Sequence, residues 1–467
     1  MSDLTTTLSR IIARREGRAI PTRTTSSFGS DPEQAIAIAT IKIVTEEHIQ
    51  AIAFGRIGSV PNVIVRQNPL SRDVSDLLPY AEFMTEWADN IVDQELEGRI
   101  WVPHADTIAA LDILGHRYWR NQTAPATIVR MGEICRVVAH EARFPGQQLL
   151  ADAQSLLASH AITGMTPVEE GHLGALLAWF DPRVSDPVAE GRDRIRLPTS
   201  GVLRNTPDFP MDDRVDRLRK VAKTSRGKER EAAEHEIAKV LREAVLGEWS
   251  LVVEARKRYF DLGLPARGLE KAVKDSATRY RYALENGHFP ARMPHKIAIE
   301  LDEMEVGQAI SDHAALYEDI QLREDAANSG KVVQGIVTTL DQPQRGRHPC
   351  SITVTARQNI VRLRRDDKIV VCGSNVCGVV RQIDRNEGGE TLIRIEILSG
   401  VRSSNVLAPS TSLEIMGQPF SFVRRETYSR VYDRQPWHYF GETAPTMQSK
   451  AQSTKAPLEI AEEARTT

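Results

Sequence analysis

Cysteine, long apolar runs and charge of one sign are all scarce in this sequence. Four cysteines in 467 residues, Cys135, Cys350, Cys372 and Cys377, cannot build a disulfide framework. The cytoplasm is therefore the expected compartment. No stretch comes near the roughly 18 apolar residues that crossing a bilayer requires, so no membrane partner is expected. The net charge of −3 supplies no global field toward polyanions or lipid, and any such attraction must come from local patches. Internal repeats are missing too. What is present is the composition of an ordinary globular protein, 41% apolar and 26% charged, with length for roughly two to four domains.

The pattern along the chain predicts an α+β multidomain protein. Residues 1–31, rich in Arg, Ser and Thr, lack the apolar core and small-residue cleavage site of a secretory signal and read as a disordered tail. Residues 32–182 read as an N-terminal α/β and helical domain. Its strands are "QAIAIATIKIV", "IQAIAFGRIG", "NVIVRQNP" and, after a helix over about 74–94, "RIWVPHA". "FPGQQLLADAQSLLASH" and "TPVEEGHLGALLAWFDP" read as two packed helices, the second with Thr166 as N-cap and Pro182 past its end. Five prolines between Pro182 and Pro210 mark a linker, placed at 183–212.

Long helical patterns then run over about 213–260 and 267–285, within a helical stalk placed at 213–330. From Arg214 to Lys296 there are 20 Lys or Arg against 12 Asp or Glu, whereas Ile297 to Asp325 holds 9 acids against one Arg. Such opposite blocks can pair with each other or face different partners. Beyond Gly330 the period changes to two, in "KVVQGIVTTL", "CSITVTA", "DKIVVCG", "VCGVVRQID", "TLIRIEILS" and "SLEIM". Short strands at hairpin spacing predict a small β-barrel over 331–420. Residues 421–467 read as a largely disordered extension.

The barrel segments "LYEDIQLREDAANSGKVVQGIVTTLD", "NIVRLRRDDKIVVCG", "GVVRQIDRNEGGETLIRIEIL" and "YDRQPWHYF" resemble the stalk and inserted β-barrel of superfamily 1 helicases of the up-frameshift type. The resemblance covers about 297–440. It implies a barrel carried on long helices and a helicase-linked context. Asp366 stands where that family often has glycine, and no motor motif follows, so ATPase activity does not transfer.

No catalytic centre, cofactor or metal site is expected. His348, Cys350, Cys372 and Cys377 are zinc-type ligands, but His348-Pro349-Cys350 is too close and too constrained for a knuckle. Neither Gly330-Lys331 nor Gly227-Lys228 has the Ser or Thr that a phosphate-binding loop places after its lysine. His140-Glu141 lacks a second histidine at helical spacing, His104, His116, His160 and His172 read as packed or capping residues, and Cys135 reads as buried. The order of elements in the N-terminal region is compatible with a ribonuclease H-like fold, whose nucleases hold metal ions with carboxylates, one of them in mid first strand. Thr40 and Lys42 stand there instead, so any such site is degenerate; a nuclease remains an alternative, with Asp106 and Asp112 as its candidates.

The functional signal is electrostatic. Arg256, Lys257 and Arg258 lie beside Trp249, Tyr259 and Phe260, and Lys274, Arg279 and Arg281 beside Tyr280 and Tyr282. Basic groups neutralise phosphates and aromatic faces stack on bases, a combination suited to single strands. The bland alternative is a salt-bridged helix pair whose aromatics face the core. Arg362, Arg364, Arg365 and Lys368 form a second basic group on the barrel. The expectation is a non-catalytic, nucleic-acid-associated adaptor, binding single-stranded DNA or RNA and working with a helicase or ATPase motor in trans, in bacterial genome defence or DNA processing. A protein-interaction scaffold without nucleic-acid binding is the other alternative.

Overall fold

The structure is a computed structural model. It describes residues 3–418, excluding 24, 44–47, 72, 145, 167–169, 196–210, 267–268, 290–311, 318–319, 342–349, 387 and 401–406. The described chain is mixed α and β with three sheets.

Helix α1 (Asp3–Glu16) opens the chain, and β1 (Ile20–Pro21) follows it. Strands β2 (Gln34–Lys42), β3 (Ile49–Arg56) and β4 (Asn62–Val65) are antiparallel neighbours. Helix α2 (Leu78–Asp93) leads to β5 (Gly98–Val102), and helices α3 (Ala105–Tyr118) and α4 (Ala126–Glu141) lead to β6 (Leu150–Asp152). Both β5 and β6 run parallel to β2, giving the order β4-β3-β2-β5-β6. Next come α5 (Ala153–His160), β7 (Ala161–Ile162), α6 (Leu173–Ala178), α7 (Pro187–Ile195), α8 (Met211–Thr224), α9 (Lys228–Asp261) and α10 (Glu270–Asn286).

Alternation along the strands divides the side chains between two cores, because successive residues point to opposite faces. Ile36, Ile38, Ile52, Phe54, Ile100 and Val102 meet α2, α3, α4 and α10 on one face. Ala35, Ala37, Ala39, Ala51, Ala53 and Trp101 meet α5, α6 and α9 on the other. The alanines matter because a helix laid on small side chains comes close to the sheet. α9, about 51 Å long at 1.5 Å per residue, packs there through Ile237, Leu241, Val245, Trp249 and Val252.

Three differences from the sequence-based expectation follow. Residues 3–31 are tied down rather than a loose tail: β1 pairs with β7, Ala13 is buried, and Arg10 bonds Glu170 across the chain. Leu150 to Asp152, read as the start of a helix, add the fifth strand, since they pair with β5 and only then does Asp152 cap α5. The helices expected as a stalk are covers of the sheet, since α9 and α10 contribute to its two cores. Part of the expected linker is helix α7, while 196–210 and the C-terminal extension fall outside the described residues.

The remaining strands, β8 (Val332–Asp341), β9 (Ser351–Ala356), β10 (Lys368–Val371), β11 (Cys377–Arg385), β12 (Thr391–Ser399) and β13 (Ser412–Gly417), follow helix α11 (Ile320–Asn328). Each pairs antiparallel with two others, and the ring β10-β11-β12-β9-β8-β13 closes on itself. Val333, Val354, Ile369, Val371, Ile393, Ile395 and Ile415 fill the interior. Ala326 and Ala327 of α11 pack on Val332 and Met416 at one end.

Candidate nucleic-acid interface

The segment between β9 and β10 carries four exposed cations on a backbone held at several points. Leu363 is buried and Val361 half-buried, which turns Arg362 and Arg364 outward. The Arg362 N–H donates to the Gly330 carbonyl at 3.0 Å. The Arg364 N–H donates to the Asp367 carboxylate at 2.6 Å, and the Asp367 N–H returns to the Arg364 carbonyl at 3.2 Å. Asp366 takes a left-handed backbone, φ 68°, a conformation Asp tolerates better than most residues. Its N–H reaches the Val380 carbonyl at 2.7 Å, and the Val380 N–H reaches Asp367 O at 2.9 Å. Such a loop presents its cations with little ordering left to do on binding.

Arg362, Arg364, Arg365 and Lys368 are all exposed. Arg365, 80% exposed, has only Asp366 at 4.0 Å among the described residues, a contact worth little in water. Arg362, Arg364 and Lys368 have no ion-pair partner among the described residues. Asp366 is drawn to Arg381 at 3.0 Å. Val361 to Arg364 and Asp367 line an open depression beside these cations, and Ile360, 59% exposed, flanks it. The whole described barrel contains no Phe, Tyr or Trp, so its surface offers cations but no aromatic face for stacking.

The helical cations are placed differently. Arg256 donates to Asp31 at 2.5 Å and lies over the Phe260 ring. Arg258, half-buried, lies among Asp181 at 3.1 Å, Glu254 at 3.5 Å and Asp261 at 3.6 Å. Arg183 and Arg258 together hold the Asp181 carboxyl far below the usual carboxylate range, the Arg183 hydrogen bonds being the larger cause. Arg279 is paired in the core with Glu141, and Arg281 donates to the Glu95 carbonyl at 2.6 Å. Only Lys257, which pairs with Asp261, and Lys274 are exposed. Trp249, Tyr259 and Tyr280 are buried, and the Tyr280 hydroxyl oxygen accepts from the Gly98 N–H at 2.8 Å. Most of these cations are thus engaged within the fold, as in the bland alternative, while Lys257, Lys274, Phe260 and Tyr282 stay exposed.

Sequence reasoning passed over a buried polar cluster at the carboxyl ends of β2, β5 and β6, where open α/β sheets commonly bind ligands. His104, directly after β5, has Nε2 3.2 Å from Oε2 of Glu248, which projects from the middle of α9; both are buried, and His104 Nδ1 has no hydrogen-bond partner among the described residues. Asp152 ends β6 and caps α5 by accepting from the Ser155 N–H at 3.0 Å; burial pushes its carboxyl up despite those bonds. Thr40 Oγ1 donates to Thr107 Oγ1 at 3.3 Å, and Lys42 pairs with Asp106 at 3.3 Å. Asp112 pairs with Arg143 and His116. Among the described residues no three His, Cys, Asp or Glu gather as a metal site, and His348 lies outside them. Nothing in the sequence announces that Glu248, 144 positions away from His104 in a helix of many acids, is the one turned inward.

No family model, no curated protein and no solved structure matches the chain.

Proposed function

We propose that the chain is a nucleic-acid-associated adaptor without a nuclease or motor centre of its own, which grips a polynucleotide backbone with the barrel segment 362–368. The observation that carries this is a braced loop holding four exposed cations, three of them without an ion-pair partner among the described residues. A purely structural loop gains nothing from uncompensated like charges, whereas a phosphate-binding one does. Acting beside a separately encoded helicase rests on the resemblance of the barrel region to helicase insertions. A role in genome defence or DNA processing rests on the same ground.

A ribonuclease H-like α/β domain belongs to this reading. Counted from Gln34, the strands lie in the order third, second, first, fourth, fifth, with only the second antiparallel to the rest, and this supports it. The buried Thr40 occupies mid first strand, and His104 with Glu248 fills the space past the fourth. A site of this make-up lacks the grouped carboxylates that two-metal cleavage needs.

The test is binding of a labelled single-stranded oligonucleotide by fluorescence anisotropy across a salt series. Four phosphate contacts give a slope of log K against log salt of about −2.8. Charge reversal of Arg362, Arg364, Arg365 and Lys368 should abolish most of that slope. Wild-type protein without salt-sensitive binding would instead point to a scaffold, and metal-dependent cleavage lost on Asp106→Asn or Asp112→Asn would point to a nuclease.

A further inference from the structure

A second group of cations, on the α/β domain, has an arrangement that a solvated surface does not call for. Helices α3 and α4 cross in contact, because Gly115 and Gly132 leave no side chain between them. A Cβ on Gly132 would lie 2.5 Å from the Trp119 backbone nitrogen, and one on Gly115 would lie 2.7 Å from that of Arg136. This close crossing brings the Arg136 side chain onto the indole of Trp119, just past the end of α3. The guanidinium carbons of Arg136 and of Arg120 each lie 3.8 Å from the centre of that ring. At this separation a guanidinium touches the ring face, and two cannot share one face. The indole is therefore covered on both sides, with a cation on each.

Cation–π contact stabilises each guanidinium, but it leaves their N–H edges unsatisfied by carboxylate. Among the described residues neither Arg120 nor Arg136 has an ion-pair partner. The nearby acids are spoken for: Asp112 by Arg143 and His116, and Glu133 and Asp89 by Arg130. Arg117, stacked on Tyr118, adds a further exposed positive charge. Two like charges held on opposite faces of one ring repel each other, and an anion lying across the edge of the stack relieves that. Planar guanidinium forks suit phosphate oxygens in a bidentate manner.

We infer that Arg120, Trp119 and Arg136 form a second phosphodiester-binding site, in which the indole acts as a spacer between two phosphate-gripping guanidiniums and does not itself stack on a base. This rests on the nucleic-acid reading for the kind of ligand and not on the barrel surface. The site contacts backbone only, so it is indifferent to sequence.

The test uses full-length protein and a labelled oligothymidylate, with anisotropy measured between about 50 and 200 mM salt. Arg120→Gln with Arg136→Gln should weaken binding about tenfold at the low end and make the salt slope shallower by about 1.4, two phosphates' worth on a single strand. Arg120→Lys with Arg136→Lys keeps the charges and loses the planar forks, so it should restore the slope without restoring the affinity. Unchanged thermal melting of these variants shows that the fold is intact. The proposal is overturned if the Gln pair binds within about twofold of wild type, if the Lys pair equals wild type in affinity, or if the protein binds polyglutamate and not the oligonucleotide. The barrel reversal is measured alongside: if it changes nothing while the Gln pair does, the barrel reading falls and this site stands.

Discussion

Arg279 separates structural from ligand-binding cations most sharply. Glu141, at 0% exposure, receives the Arg279 Nε at 2.8 Å and the Ser276 hydroxyl at 3.1 Å, and the guanidinium lies 4.9 Å from the Phe144 ring centre. Arg279→Ala strips a buried carboxylate of its counter-charge, which costs about 3–5 kcal/mol, and also removes a cation–π contact. We expect a loss of about 4 kcal/mol in urea unfolding followed by tryptophan fluorescence. That corresponds to a melting temperature lower by roughly 8–16 °C. Lys257→Ala is the control: its pair with Asp261 is exposed and should cost about 0.5 kcal/mol at most. Replacing Arg279 and Glu141 together by Met and Leu should recover much of the loss, because the desolvated charge goes with its partner. Oligonucleotide affinity of the folded Arg279→Ala protein should not change. A destabilisation below about 1 kcal/mol, or a loss of binding without loss of stability, would refute the assignment of Arg279 to the core.

Two further outcomes are expected. Burial pushes the Cys135 thiol up to about 12, and Cys372 up to about 11, so at pH 8 iodoacetamide should label the half-exposed Cys377 in the native protein and reach Cys135 only on unfolding; early labelling at Cys135 by peptide mass mapping would contradict its placement. Burial holds the His160 imidazole below its ordinary value, so in acid the unfolded chain binds a proton that the folded chain resists. Stability is therefore expected to fall as pH drops below about 6.5, and a His160→Gln variant should show a shallower decline between pH 7 and 5 in the same unfolding assay.

Strands were legible where one face is buried and the other patterned. Ile36, Ile38 and Ile52 against Ala35, Ala37 and Ala51 made β2 and β3 readable, although both faces turned out to be covered. The short β6 was not, because Leu149 and Leu150 fit a helical face equally well and only pairing with β5 selects the strand. The expectation of a stalk failed for a related reason. A helix as long as α9 shows the same period whether it stands alone or lies on a sheet, and the small residues that let it lie there are in strands some two hundred positions earlier.

The cations show the same limit from the side of function. Arg256, Arg258 and Arg279 looked alike to Arg362 and Arg364 in sequence, since a basic run beside aromatics gives the same composition in a core pair and in a phosphate grip. The acids that consume them, Asp31, Asp181 and Glu141, lie between 77 and 225 positions away, where no local rule reaches. On the barrel the nearest acids are next in sequence, yet they leave the cations free: Asp367 is spent on the Arg364 backbone and Asp366 is drawn to Arg381. The Arg120–Trp119–Arg136 stack joins the two cases. Its first half, "YWR", is local and visible, while the second guanidinium arrives only because two glycines let α3 and α4 touch. A basic residue therefore becomes a binding candidate when its surroundings leave the charge unspent, and that property belongs to the packing of helices and strands rather than to any stretch of sequence.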